Sequence, residues 1–400
     1  MHIAAVETSA ESLSIQWEQP ATTDGATRSP SSFCARWLRD FGSFASDDGE
    51  SLPQVDLTAP PLRSSPPPSP PLHAVPHFSF DDLLNGDETV RWEWLSTLAE
   101  TGATLIRGVP EMVAVPPAAL AGGGGGGIGG GSIAPAASSA AADDAVRVVA
   151  GLVGPMQPNI YGDLFDVVSK GDAAINLAYT SEAIGPHMDL CYYESPPGLQ
   201  LLHCLRFDDD VVGGESLLID AFAAAERLRA RSPAAFEVLS SVPATFLKDH
   251  SRRARPVLLS YRRPHIALEP RTRRVVGAFW SPPFEGPLLA DGLSAAAVGE
   301  YYRAYQLFHD EIRRGPRWEA RLEVGDMIVF NNRRMLHGRA AFAGGAADGA
   351  RHMRGGYVNI DEFANTYNLL RRKHAAEGGA PPHLANQDWA AGTVRLPAEE

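Results

Sequence analysis

Cysteine is nearly absent. Cys34, Cys191 and Cys204 are the only three in 400 residues, too few for a disulfide framework, so a reducing, intracellular compartment is expected. Positive charge is also short. Lys and Arg number 35 against 48 Asp and Glu, a net charge of −13, which argues against general nucleic-acid or membrane-surface binding. No uninterrupted apolar run reaches the roughly 18 residues of a membrane span. The opening MHIAAVETSAESL lacks a basic stretch followed by an apolar core, and it is acidic where a mitochondrial transit peptide would be basic. A cytoplasmic protein is the expectation, with a mitochondrial one left open as the alternative. The glycine run 122–127 is not followed by the Gly-Lys-Ser/Thr that a phosphate loop needs.

What remains is ordinary for a globular chain: 44% hydrophobic and 21% charged residues, with length enough for one to three domains. Residues 1–75 read as a small β-rich unit, because Leu13, Ile15 and Trp17 alternate with polar residues. The proline cluster at 66–71 is a semi-rigid linker. A main domain follows over 76–372, then a flexible tail over 373–400. Residues 114–142 are mostly Ala, Pro and Gly and read as a disordered insertion in a surface loop. Helices are expected over 80–99, 144–152, 220–239 (broken at Ser232-Pro233, with Ser232 as cap) and 294–314. The last shows Val298, Tyr301, Tyr305, Phe308 and Ile312 on one face. Strands are expected at 104–106, 199–205, 217–219 and 327–330. His203 and Cys204 lie inside an apolar run and read as core residues. The basic run 248–255 (KDHSRRAR) reads as a solvated loop. Many short strands with flanking helices suit a mainly β, double-sheet jelly roll.

The candidate chemistry centres on His187-Met188-Asp189. In an extended segment residues i and i+2 share a face, so an imidazole and a carboxylate project side by side. Alone this tripeptide is more often a structural pair than a metal site. A second histidine, His337, lies just past the apolar run 327–330, and Arg351 follows 14 residues after it. Two His and one carboxylate with open positions form the facial triad of non-haem Fe(II) oxygenases. The arginine suits a dicarboxylate co-substrate, because a planar guanidinium pairs a carboxylate through two parallel hydrogen bonds. This order matches the Fe(II)/2-oxoglutarate dioxygenases.

Within that group the chain resembles the gamma-butyrobetaine dioxygenases, relatives of trimethyllysine dioxygenase and, more distantly, of taurine dioxygenase. The likeness lies in Trp37-Leu-Arg-Asp40, Tyr161-Gly162, residues 176–205, Gly213-Gly-Glu-Ser216, residues 331–339 and residues 351–361. It implies a double-stranded β-helix fold, a homodimer, and hydroxylation of gamma-butyrobetaine to carnitine with Fe(II), 2-oxoglutarate and O2. Ascorbate is left open as an accessory reductant. The resemblance assigns the metal to His187, Asp189 and His337 and the 2-oxoglutarate tail to Arg351, with Ser216 as a secondary partner or a plain turn serine. It also assigns a trimethylammonium cage to Tyr161, Phe165 and Tyr179, since a quaternary cation sits well against aromatic faces. Cleft aromatics without that role are the alternative. Asn176 would meet the substrate carboxylate. Trp280-Ser281 stands where the family tends to show paired asparagines, which puts the shape of that pocket in question. The family's zinc cysteines after the Trp-Leu-Arg-Asp run are missing, so no structural zinc is expected. A trimethyllysine or other betaine dioxygenase, a different outcome at the same iron, and a non-catalytic binding scaffold remain as alternatives.

Overall fold

The computed structural model describes residues 3–9, 12–17, 31–34, 74–115, 141–168, 180–253, 255–270, 273–344 and 349–374. The proline cluster, the centre of the insertion, the tail, Asn176 and Tyr179 lie outside them. Near the N-terminus, Ile3–Thr8, Ser12–Trp17 and Ser31–Cys34 form a three-stranded antiparallel sheet.

Two larger sheets make the frame of the main domain. The first has six strands in the order His77–Ser79, Ala103–Arg107, Met327–Asn331, Leu199–Phe207, Arg351–Val358 and Leu164–Val168. The second has four, in the order Trp318–Ala320, Ser216–Asp220, Met335–Arg339 and Ile184–His187. Leu199–Phe207 lies inside that first sheet between Met327–Asn331 and Arg351–Val358, and six of its nine residues are buried. Inside it His203 bonds through Nε2 with the Val109 carbonyl at 3.2 Å, the core role expected of it.

Helices cover the frame on two sides. The expected helix over 80–99 is two helices, Phe80–Asn85 and Glu88–Thr101. The break falls at Gly86-Asp87, where the Asp87 carboxylate accepts the Thr89 and Val90 N–H groups and starts the second helix afresh. Trp94, Leu95 and Leu98 from that helix share a buried cluster with Ile106, Leu199, Val329 and Phe363. On the other side Ala221–Arg231, Pro233–Ser241 and Ala295–Arg314 pack together. Tyr301, Phe308 and Ile312 face inward as their spacing predicts, but they meet neighbouring helices and Trp280 as well as sheet residues. Ser232 precedes Pro233 as expected, yet its hydroxyl makes no cap bond; the proline at the first turn already removes one unsatisfied N–H.

Met112–Val115 and Ala141–Asp144, which flank residues 116–140, pair as antiparallel strands. The basic run differs from expectation at its first residue. Lys248 belongs to the strand Pro243–Asp249, paired with Leu258–Pro264, and it is buried. Strand alternation puts it on the face of Ala244 and Phe246, both core residues.

Candidate active site

One cavity of about 160 Å³ lies between the two large sheets, small-molecule in scale. His187 and His337 stand directly opposite each other across the ladder of Ile184–His187 and Met335–Arg339, with ring centroids 4.2 Å apart. His337 is therefore in the middle of a strand rather than just past one; the turn at 332–334 starts that strand earlier than the apolar pattern suggests. Gly338 lets the two strands approach so closely: a Cβ there would lie 2.6 Å from the Ile184 carbonyl oxygen.

Asp189 reaches the same point by a different route. The strand ends at His187 and the chain turns, with Leu190 in the left-handed region at φ 59°. The i, i+2 alternation thus gives way to a turn held from outside. Asn332 clamps it: the Asp189 N–H donates to Asn332 Oδ1 at 3.0 Å, and Asn332 Nδ2 donates back to the Asp189 carbonyl at 3.1 Å. The carboxylate is then aimed by Gln200 Nε2 and the Tyr357 hydroxyl, each donating to Oδ2 at 2.8 Å. His187 Nε2 lies 3.5 Å from Oδ1 and His337 Nε2 3.7 Å from Oδ2.

One ligating atom from each of the three residues falls within 4.8 Å of the others. Burial alone would raise the Asp189 pKa, but His337 and His187 outweigh it and hold the carboxyl well below its usual range. Burial, and then His187 beside it, pushes His337 down to about 3. Burial also acts against charged His187, yet the bond and charge of Asp189 prevail and raise its pKa. An ionised carboxylate beside a neutral imidazole, with two Nε2 atoms turned toward it, is a donor set that fits a divalent iron ion.

At one end the cavity wall includes Ser216, Arg339 and Arg351. The buried Arg351 guanidinium lies 5.4 Å over the Phe207 ring. Burial and then Arg339 push its pKa down to about 10, so it stays cationic at neutral pH. Arg339 is already engaged, donating to the Thr180 and Glu182 carbonyls at 2.8 and 2.6 Å.

Elsewhere the wall is aromatic: Tyr161, Phe165, Tyr192, Phe284 and Tyr357. Phe165 stacks on Tyr357 at 5.2 Å and lies 6.3 Å from Tyr161, while Tyr192 meets Phe284 edge-on at 5.4 Å. Sequence reasoning found Tyr161 and Phe165 and missed Tyr192, Phe284 and Tyr357. Gly355 makes room for Phe165: a Cβ there would sit 2.6 Å from its ring.

Trp280 departs from expectation. It does not line the cavity but stacks on Tyr305 at 4.5 Å and meets Phe308 at 5.4 Å. A large apolar ring gains more from that helical layer than from a polar cleft. Its link to the site is through the backbone, where its carbonyl accepts the Met188 N–H at 2.7 Å.

The sequence profile of the taurine catabolism dioxygenase TauD, TfdA family matches residues 64–357, and the chain belongs to that family. It is 34% identical over 307 residues to the gamma-butyrobetaine dioxygenase of Pseudomonas sp. (strain AK-1), covering 75% of this chain and 67% of that protein. It is 33% identical over 234 residues to dioxygenase str8 of Strobilurus tenacellus, covering 57% and 52%. A third relative is the mitochondrial trimethyllysine dioxygenase of Gallus gallus, 30% identical over 241 residues, covering 56% and 51%. The matched stretch thus spans between half and about two thirds of these relatives' own length. Family and relatives make the chain a dioxygenase, and His187, Asp189 and His337 are placed to hold a metal ion.

Proposed function

We propose that the protein hydroxylates a small trimethylammonium substrate, gamma-butyrobetaine foremost, with His187, Asp189 and His337 holding the iron. The observation that carries this reading is the meeting, in one cavity, of that triad, a buried arginine and an aromatic wall. When bound, the iron supplies oxygen activation coupled to decarboxylation of 2-oxoglutarate, with succinate, carbon dioxide and the hydroxylated substrate as products.

The chain's own residues do the rest. Arg351 pairs the far carboxylate of 2-oxoglutarate, and Ser216 adds a hydroxyl beside it. Gln200 and Tyr357 fix the Asp189 carboxylate, and Asn332 fixes its backbone. Tyr161, Phe165, Tyr192 and Tyr357 face the trimethylammonium group, which donates no hydrogen bond and is attracted to aromatic faces. The apolar walls exclude water from the reacting C–H bond. The same reading takes the two sheets around the cavity as a double-stranded β-helix. It takes residues 1–75 as a separate small domain and the protein as a cytoplasmic homodimer. The likeness to trimethyllysine dioxygenase keeps trimethyllysine as a second substrate to try.

The test is a panel of quaternary amines given to the iron-loaded protein with 2-oxoglutarate and oxygen. Succinate release and a product heavier by one oxygen atom are expected with gamma-butyrobetaine. A neutral isostere without the cationic head should be a poor substrate. No oxygenated product from any quaternary amine would sink the proposal.

A further inference from the structure

We propose that Lys248, held against the cavity-wall residue Phe284, receives the carboxylate of the substrate and sets the preference for an acid over its neutral analogues. This rests on the trimethylammonium reading above and adds the other end of the molecule to it.

Lys248 is only 3% exposed. Its side chain runs inward with Ala244 and Phe246, and its Nζ lies 4.2 Å from the centre of the Phe284 ring. Phe284 is itself a wall of the cavity and touches Tyr192, another wall residue, edge-on. Lys248 is not itself a lining residue; its ammonium stands against Phe284, which is. Among the described residues no carboxylate pairs with it and no acceptor takes its protons; the Phe284 ring is its one partner. A cation–π contact satisfies none of three N–H donors. Taking an ammonium out of water without an anion is costly. Burial, and then Arg253, pushes its pKa down to about 8, so the group is still mostly charged at neutral pH. A ligand carboxylate reaching Nζ would offset that cost.

The substrate needs such a partner. A betaine has a cation at one end and a carboxylate at the other, and a buried carboxylate without donors is as costly as the lysine. Trp280, at one of the positions where an amide donor was expected, turns into the core. Lys248 packs against Phe284, a cavity-wall residue four positions after Trp280.

The experiment compares gamma-butyrobetaine with its primary amide, measuring dissociation constants by calorimetry on the iron-loaded protein without oxygen. Wild type should bind the acid at least about tenfold tighter than the amide, the scale of one charge-assisted hydrogen bond. Lys248→Met should erase that preference by weakening the acid alone, leaving the amide and 2-oxoglutarate within about twofold of wild type. Lys248→Arg should restore most of it. Equal wild-type affinity for acid and amide overturns the anchor whether or not any variant folds. So does an equal loss of both ligands, or a loss confined to 2-oxoglutarate, in Lys248→Met. If wild type binds neither ligand, nor any other trimethylammonium acid, the substrate reading falls and the anchor falls with it. Binding of a different trimethylammonium acid with the same acid-over-amide preference supports the anchor and changes only the substrate's name.

Discussion

Two charges are buried around one cavity, and they are treated in opposite ways. Asp189 is surrounded: Gln200 and Tyr357 donate to its carboxylate, two imidazoles stand within 4 Å, and Asn332 holds its backbone from both sides. Lys248 has an aromatic ring against its ammonium and no hydrogen-bond or ion-pair partner among the described residues. The first arrangement is complete as protein alone and can hold its shape before any ligand arrives. The second is incomplete until an anion comes. A site that must grip a metal at fixed geometry benefits from the first kind of construction. A site that must distinguish one small acid from its neighbours benefits from the second, because the unpaired charge penalises every ligand that fails to answer it.

The contrast can be broken most severely at Asp189. Asp189→Ala removes the one anionic donor, and succinate release should fall to background while the thermal midpoint stays within a few degrees of wild type. Normal turnover by a folded Asp189→Ala protein would put the metal elsewhere. A smaller effect is expected at Asn332. Asn332→Ala leaves all three donors but frees the turn that carries Asp189. Iron affinity, titrated without oxygen, should drop by roughly 10- to 100-fold, the usual cost of losing an outer partner of a metal ligand. Next comes Arg351→Lys, which keeps the charge and loses the planar fork. The apparent Michaelis constant for 2-oxoglutarate should rise by roughly tenfold; an unchanged constant would move the co-substrate anchor away from this residue. The mildest change is Gly355→Ala. Its methyl would press on the Phe165 ring, the Leu202 side chain and the Leu201 carbonyl oxygen, so, in protein that still folds, the betaine constant should rise by a few-fold while that for 2-oxoglutarate holds. Equal shifts in both would mean that Phe165 supports the cavity in general rather than the cationic end.

The two sides of this contrast were not equally legible. His187, Asp189 and His337 stood out because residue type, order and spacing already narrow the chemistry, and a resemblance spread along the chain narrows it further. Their supports did not stand out. Asn332 is 143 positions from Asp189 and Tyr357 is 168, and no local pattern encodes a contact at that distance. The helix break at Gly86-Asp87 was readable from the cap residue and lost to the apolar spacing around it. Lys248 was hidden by its company: KDHSRRAR looks like solvent-facing charge throughout, and only the strand alternation from Ala244 shows that its first residue points the other way. Trp280 was placed at the carboxylate end by analogy, where the packing preference of an indole decided otherwise.

The paired strands on either side of residues 116–140 have a consequence for the chain's tolerance of change. Met112–Val115 and Ala141–Asp144 enter and leave side by side, and Arg354 rivets their base to the six-stranded sheet through Asp144 at 2.8 Å and Glu111 at 3.4 Å. Whatever is strung between them hangs from a closed clasp. Loop closure varies only slowly with length, by about 0.6 kcal/mol per doubling, so the stretch between the two strands is a place where segments can be trimmed, exchanged or threaded in without the cavity registering the difference.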